Sequence, residues 1–296
     1  MTDAPDTPAW VPSASRQVRF HQLLVAARKT WLVDALGEAL RTVDPITFKT
    51  QLVEYIPEDV QKILAAAGVR DEHIFPTPVI LEAAPTLVGY YRLLLGVPQK
   101  TFYAGVTRMG RFKNMETRGR LTDSQKHSLP AFCSAMSVGL SDLVRQLSPS
   151  VTQRDLAELP LLTLGSQFQG ANNNDIGRTA VLEVFLAVAE LVEPHLTRRS
   201  DQQLILQNSA GRHVTITLAS DPDVRIQEEV GTGVAQRVAI EVKGGTDRSN
   251  AHNRAGEAEK SHLKAKRDGF RNFWTLIAKK GLDMNRLREE SPTTTD

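Results

Sequence analysis

The chain holds little of the chemistry that marks secreted, membrane-spanning or polycationic proteins. Cys133 is its only cysteine, so no intrachain disulfide can form and nothing points to an oxidising compartment. No apolar run is long enough to cross a bilayer, and the first residues (MTDAPDTPAW) are acidic and proline-bearing, unlike a secretory leader. The expectation is a cytoplasmic protein with no membrane partner. Charge of one sign is also scarce: 36 Lys and Arg against 34 Asp and Glu leave a net +2, too small for the whole chain to diagnose a nucleic-acid partner. There is no internal repeat. His21, His73, His127, His195 and His213 are scattered singly. His252 beside Asn253 superficially matches a His-Asn metal-finger nuclease, but the further metal ligands of that class cannot be assembled around it. Apolar residues are plentiful, 41% of 296, which suits a sizeable core in one large domain or in a catalytic core with a helical subdomain.

The most informative stretch is Ile240-Glu241-Val242-Lys243-Gly244-Gly245. Side chains two apart on a strand share a face, so Glu241 and Lys243 lie side by side. Upstream, Pro222-Asp223 precedes a second alternating run, and Gly231-Thr232-Gly233 between the two is a plausible tight turn. A hairpin centred on Thr232 sets Asp223 directly opposite Glu241, with Cβ atoms ~5 Å apart. Two carboxylates that close repel unless a cation lies between them or one keeps its proton. The pattern therefore predicts a divalent-metal site with a lysine beside it.

In that register Val224, Ile226 and Val230 share an apolar face with Val234, Val238 and Ile240, and only Glu228 opposite Gln236 is polar. The other face carries Asp223, Arg225, Gln227 and Glu229 against Ala235, Arg237, Ala239 and Glu241. The alternative is an ordinary hairpin with a solvated face, in which Asp221 and Lys243 make a surface ion pair. Asp221 lies before Pro222 at the end of the strand, so it is expected to be dispensable.

Downstream, Asn250 or Asn253 can cap a helix running through Glu257, Lys260, Lys264 and Arg267 to a stop at Gly269. Phe273 to Ala278 follows as a short apolar run that reads as a buried strand, with a helix as the alternative. Strand, helix, strand implies parallel pairing with the Glu241 strand. Upstream, a helix from about Thr179 to Leu191 has a buried stripe of Val181, Val184, Phe185, Val188 and Leu191. Glu183 lies one position off that stripe; it either faces the same cleft as Asp223 and Glu241 or is a solvated helix glutamate.

Gly177-Arg178 with Glu183, then Pro222-Asp223, then Glu241-Val242-Lys243 resembles the PD-(D/E)xK nuclease superfamily. The run from Glu241 to Asp247, residues 250 to 262 (NAHNRAGEAEKSH) and residues 85 to 103 (PTLVGYYRLLLGVPQKTFY) are similar to type II restriction endonucleases of the XcyI-type group, whose members cut CCCGGG. The resemblance covers roughly residues 75 to 280. It implies a mixed β-sheet, restriction-endonuclease-like α/β core with a helical N-terminal part. It also implies that Asp223 and Glu241 hold Mg²⁺ with the Val242 carbonyl as a third protein ligand. Lys243 would orient or help deprotonate the attacking water, and Glu183 matches an acidic residue some members carry on the preceding helix. Double-stranded DNA is the implied partner and a homodimer the implied assembly. Two alternatives remain: a repair-type nuclease of the same fold, and a DNA-binding or interaction protein with a decayed site.

Two basic clusters bear on DNA. Arg108, Arg111, Lys113, Arg118 and Arg120 occupy a glycine-containing stretch that reads as a loop able to contact DNA, or else as a solvated turn. Lys260, Lys264, Lys266, Arg267, Lys279, Lys280, Arg286 and Arg288 form the second, in which Lys264 and Lys266 read as solvated. The rest is coarser. Helices are expected from Arg16 to about Leu40, from Glu58 to Ala67 and from Leu129 to Leu147, and residues 147 to 164 mix turn signals with Leu-rich pieces. The resulting organisation is a disordered tail at 1–14, a mainly helical part at 15–164, a catalytic core at 165–290 and a disordered tail at 291–296.

Overall fold

The computed structural model describes residues 14–149, 151–244, 251–277 and 284–296. These fall into two units, Met1–Gln169 and Gly170–Asp296. The first is built of α1 (Ser15–Trp31), α2 (Val33–Thr42), α3 (Pro45–Tyr55), α4 (Glu58–Ala67), α5 (Pro78–Ala83), α6 (Val88–Leu94), α7 (Gln99–Phe102), α8 (Lys113–Arg118) and α9 (Asp123–Leu147), joined by short 3₁₀ turns. α10 (Gln153–Val192) carries the chain from the first unit into the second.

Local chemistry explains most of these boundaries. Asp44 caps α3 by accepting from the Thr47 N–H at 2.8 Å, with Pro45 at the first helical position. α4 starts with Glu58 and Asp59 at the positive end of its dipole and stops at Gly68, whose φ of 65° is left-handed. Thr122 and Gln125 form a reciprocal capping box ahead of α9. That helix begins six residues before the expected Leu129, because Pro130 looks like a start in the sequence yet lies within the helix. Pro160 likewise lies inside α10, so the expected turns at 147–164 give way to helix from Gln153. The single helix expected from Arg16 to Leu40 breaks at Leu32, whose extended backbone brings its side chain into the core while α2 turns Ala35, Leu36 and Ala39 inward.

One buried ion pair ties the segments of this unit together. Arg92 on α6 is fully buried, and Glu116 on α8 meets it at 3.0 Å from Nε and 2.8 Å from Nη2. Glu116 also accepts from Gln99 Nε2 at 2.9 Å and from the Tyr103 hydroxyl at 2.6 Å. Burial, then the Glu116 charge, pushes the Tyr103 phenol well above its usual range.

The second unit contains one sheet of six strands in sequence order: β1 (Leu196–Arg199), β2 (Gln203–Gln207), β3 (His213–Leu218), β4 (Val224–Val230), β5 (Gly233–Lys243) and β6 (Asn272–Ile277). Neighbours are antiparallel except β5 and β6, which are parallel and linked by α11 (Ala251–Arg267). α12 (Met284–Glu290) follows. The expected parallel crossover is thus present, and Gly269, at φ 92°, ends α11. Asn250 and Ala278 lie outside the described residues.

The two faces of this sheet differ in what covers them. Phe185 and Ala189 of α10 pack on a face made by Leu204, Ile216, Val224, Val238, Ile240 and Val242. Val181, Val184 and Val188 join them as expected, but Leu191 is 81% exposed and Val192 takes its place in the stripe. The opposite face places Ala239 and Phe273 against Ala265 of α11.

Residues 291–296, expected as a disordered tail, are hydrogen-bonded along β6. The Thr295 N–H donates to the Phe273 carbonyl at 2.7 Å, and the Thr275 N–H donates to the Asp296 carbonyl at 3.0 Å. Glu259 accepts from the Thr293 N–H at 3.0 Å and its hydroxyl at 2.6 Å. An edge strand presents unpaired backbone groups, and this polar segment satisfies those of β6. The expected N-terminal tail falls almost wholly outside the described residues.

Removing the Glu116 carboxylate leaves a buried guanidinium without a counter-charge, an error costing about 3–5 kcal/mol. Glu116→Ala is therefore expected to lower unfolding stability by that order in a urea titration. A loss under about 1 kcal/mol, the worth of an exposed pair, would show that the pair does not organise this unit.

Candidate active site

β4 and β5 are joined by a two-residue turn, Gly231-Thr232, with Gly231 at φ 60° and Val230 paired with Gly233. Near the turn the pairs are Glu229 with Val234, Glu228 with Ala235 and Gln227 with Gln236. Continued unbroken, that register would leave Asp223 opposite Ile240. It shifts instead between Ile226 and Gln227: Arg237 is the extra residue, and Ile226 with Val238, Arg225 with Ala239 and Val224 with Ile240 follow. The bulge restores at the far end the register expected of a hairpin centred on Thr232, and the next positions out are Asp223 and Glu241.

Near the tip the expectation fails. Glu228 faces Ala235 rather than Gln236, and Val230 and Val234 are exposed rather than part of the apolar face. The bulge inverts the alternation of β5 between the two ends, so one set of side-chain directions cannot hold throughout. Glu228 is compensated by Arg237, 2.6 Å from Oε2, and Arg212, 2.7 Å from Oε1.

At the other end several groups converge on the face covered by α11. Asp223 Oδ2 accepts the Val242 backbone N–H at 2.8 Å. Glu241 is buried; its Oε2 receives Lys243 Nζ at 2.9 Å, and its Oε1 lies 2.5 Å from the Ser261 hydroxyl. The same hydroxyl reaches Asp221 Oδ1. Lys264 Nζ contacts Asp221 Oδ2 at 2.8 Å, and Arg225 donates to the Asp221 carbonyl. The Asp221–Lys243 pair of the alternative, ordinary-hairpin reading does not form: each finds a different partner, and Asp221 is held at three atoms rather than frayed. Lys264, expected to be solvated, is the counter-charge of Asp221 although it is 60% exposed.

The two aspartates differ electrostatically. Burial raises the Asp223 carboxyl above its usual value, and the charges of Glu241 and Asp221 add to this against the Val242 N–H and Lys243. Asp221 is lowered, first by Lys264 and then by Ser261. Asp223 is thus the acid whose ionisation is resisted, chiefly by burial and then by its acidic neighbours.

Gly244 follows Lys243 at a close approach to α10. A Cβ placed there would fall 2.2 Å from the Ala180 Cβ, so glycine is required where β5 passes the helix. Gly245, Thr246 and Asp247 of the same stretch lie outside the described residues.

Glu183 is not brought to this cluster. It is exposed on α10, the helix covering the opposite face of the sheet. His262 is buried with Nε2 2.8 Å from Thr275 Oγ1, and burial lowers its pKa, which favours a neutral core histidine. The His252 side chain lies outside the described residues.

Sequence reasoning missed Ser261. Its signal is the small-residue stripe Ala255, Ala258 and Ala265, all buried on α11, which brings the helix close enough for a serine to reach the strand carboxylates.

In the other unit, Arg108, Arg111, Lys113, Arg118 and Arg120 are all exposed, as a DNA-contacting or a solvated segment requires. The segment is not an open loop. Two 3₁₀ turns, Gly105–Thr107 and Met109–Phe112, lead into α8. Arg108 takes a left-handed φ of 58° between them. Phe112 and Met115 anchor the stretch in the core, so its charges project from a fixed backbone.

Among the described residues no three His, Cys, Asp or Glu side chains group as a metal cage. Of the cluster's three carboxylates Asp221 is paired with Lys264, which leaves Asp223 and Glu241, and two carboxylates suit a cation that keeps water or phosphate oxygens. Among the described residues no hydrogen bond engages Asp223 Oδ1, and each engaged Glu241 oxygen retains a lone pair.

Because Asp223 is raised, ionising it costs the folded state stability above the unfolded value near 3.8, and that cost is absent at lower pH. Asp223→Asn keeps an acceptor for the Val242 N–H and cannot ionise. Without metal it is expected to melt at a higher temperature than the parent at pH 7, with the gap closing toward pH 4. Identical melting curves at both pH values would contradict the electrostatic reading.

The family model described as XcyI restriction endonuclease matches residues 21–296. The chain is 40% identical over 287 residues to the type II restriction enzyme Cfr9I of Citrobacter freundii, spanning 96% of this chain and 87% of that protein. It is 39% identical over 290 residues to the type II restriction enzyme XcyI of Xanthomonas campestris pv. cyanopsidis, spanning 96% and 86%.

Proposed function

Because this chain belongs to the XcyI restriction endonuclease family, a type II restriction enzyme and thus a site-specific deoxyribonuclease acting on double-stranded DNA, we propose that it cleaves through Asp223, Glu241 and Lys243 on a PD-(D/E)xK core. The observation that supports this reading is the bulged hairpin, which pairs Val224 with Ile240 so that Asp223 and Glu241 are the next positions out, with Lys243 on Glu241. Family membership displaces the two other readings, repair nuclease and non-catalytic binding protein.

In this reading Asp223 and Glu241 hold Mg²⁺, with the Val242 carbonyl as a third ligand. When bound, the ion offsets charge on the scissile phosphate and makes a water easier to deprotonate. Lys243, fixed on Glu241, orients that water from the strand side. The Val242 N–H keeps Asp223 turned toward Glu241 instead of the solvent. Arg108, Arg111, Arg118 and Arg120 read base edges, with Lys113 on phosphate, at a GC-rich palindrome for which CCCGGG is the specific expectation. A homodimer fits such a site, since two-fold protein symmetry matches a palindrome and one centre per strand gives a double-strand cut. The enzyme works in the cytoplasm; among the described residues no helix is long and apolar enough to cross a membrane.

Asp223→Ala or Glu241→Ala should abolish cleavage of phage DNA but leave specific binding, because losing a carboxylate relieves repulsion near the phosphate. Lys243→Ala should likewise cost cutting far more than binding. Sequencing the wild-type ends reads the site directly, and near-normal cutting by the Glu241 variant would sink the assignment.

Single alanine variants of Arg108, Arg111, Arg118 and Arg120 separate base reading from phosphate contact. A base-reading arginine should lose roughly 1–3 kcal/mol of discrimination at one position, whereas a phosphate contact should weaken all sequences alike and flatten the salt dependence. Wild-type discrimination in all four would place the readout elsewhere.

A further inference from the structure

Ser261 stands in the interior of α11 with its hydroxyl between two carboxylates, Glu241 Oε1 at 2.5 Å and Asp221 Oδ1. A serine in mid-helix commonly turns its hydroxyl back to the carbonyl four residues earlier. This one instead crosses to the strand and to the segment before β4. A hydroxyl has one proton and can donate to only one oxygen at a time, yet both acids are drawn to it. Three residues on, on the same side of the helix, Lys264 holds the other oxygen of Asp221 at 2.8 Å. Glu241 is therefore held from two elements: Lys243 of its own strand grips Oε2, and Ser261 of the covering helix grips Oε1. Asp221 and Lys264 form a second tier behind Ser261, with the Asp221 backbone fixed by Arg225.

We propose that Ser261 is a positioning residue for catalysis: its hydroxyl fixes the orientation of Glu241 and couples it to the Asp221–Lys264 pair. This rests on Glu241 and Asp223 as the metal ligands. Without the hydroxyl, a buried carboxylate keeps one partner on one oxygen and is free to rotate away from Asp223. Groups that orient a ligand carboxylate are typically worth 10–100-fold in metal affinity. Asp221 acts one step further out, so its effect should be smaller and pass through Ser261.

The test is direct binding of Mn²⁺ to the intact protein on cognate duplex, following free Mn²⁺ by electron paramagnetic resonance, with cleavage against Mg²⁺ concentration measured in parallel. Ser261→Ala should weaken Mn²⁺ binding by about tenfold or more and shift half-maximal cleavage to higher Mg²⁺ in proportion. Ser261→Thr keeps the hydroxyl and should stay near the parent in both. Asp221→Asn should give a smaller shift in the same direction, and none on a Ser261→Ala background. Wild-type Mn²⁺ affinity in Ser261→Ala, when Asp223→Ala and Glu241→Ala bind none, overturns the role of Ser261 and leaves the ligand assignment standing. Normal Mn²⁺ binding by Glu241→Ala overturns the ligand assignment itself. Should Ser261→Ala fail to fold, as melting curves will show, Ser261→Thr and Asp221→Asn decide: equal loss in both with unchanged melting rejects the hydroxyl as the determinant.

Discussion

Two carboxylates facing each other at the open end of a hairpin repel, and their separation depends on a register set at the other end. A tight two-residue turn at Gly231-Thr232 and an extra residue at Arg237 together determine which residue stands opposite Asp223. Without the bulge the partner would be Ile240, whose side chain belongs to the apolar face under α10, and Glu241 would lose its facing acid. The bulge also offsets its own electrostatic cost, because Arg237 falls on the buried Glu228. Everything at the candidate site depends on that one inserted residue: Glu241 on the α11 face, Lys243 two positions on, Gly244 slipping past Ala180.

Much of this was legible in the sequence, though partly for compensating reasons. The expected centre at Thr232 is half a residue from the observed turn, and the bulge makes up the difference, so the expected register holds from Ile226–Val238 to Val224–Ile240 while the tip does not. Val230 and Val234 show the cost of treating alternation as continuous, since one inserted residue reverses every direction beyond it. The α4 boundaries were plain because dipole charges and Gly68 agree. Pro130 and Pro160 misled because a proline reads as punctuation, whereas a long, well-packed helix absorbs it. The polar tail looked disordered by composition, yet β6 is an edge strand whose backbone requires partners, and threonines supply them. That demand is tertiary and leaves no local mark.

The charge pairs follow the same division. Pairs close in sequence, such as Glu241 with Lys243, follow from strand geometry and can be read from spacing alone. Pairs such as Arg92 with Glu116 and Asp221 with Lys264 depend on two elements being packed together, and nothing local in either segment announces them. Arg92 is the sharper case. A fully buried arginine is tolerated only because Glu116, itself gripped by Gln99 and Tyr103, neutralises it. The exposed arginines on either side of Glu116 inherit their fixed backbone from that buried contact. Basic residues on a rigid frame lose less entropy on meeting a target than the same residues on an open loop.

The choice between the two aspartates follows from what each already has. Asp221 is satisfied: Lys264 compensates its charge, Ser261 holds one oxygen, and its pKa is lowered accordingly. A cation arriving there would displace a lysine and gain little. Among the described residues Asp223 has one N–H bond, on Oδ2, and its pKa is raised. Burial is the first cause of that rise, and the charges of Glu241 and Asp221 add to it while Lys243 offsets it in part. Under the proposed metal assignment a divalent ion would relieve both the repulsion and the desolvation, and so would gain most where the protein alone does worst. Under that assignment proton and metal would compete for the same carboxylate, and acid conditions that stabilise the metal-free fold at Asp223 would weaken the ion's hold on it. The resisted ionisation of Asp223 would then be the counterpart of its affinity for the ion, with the well-paired Asp221 held beside it by Lys264 and Ser261.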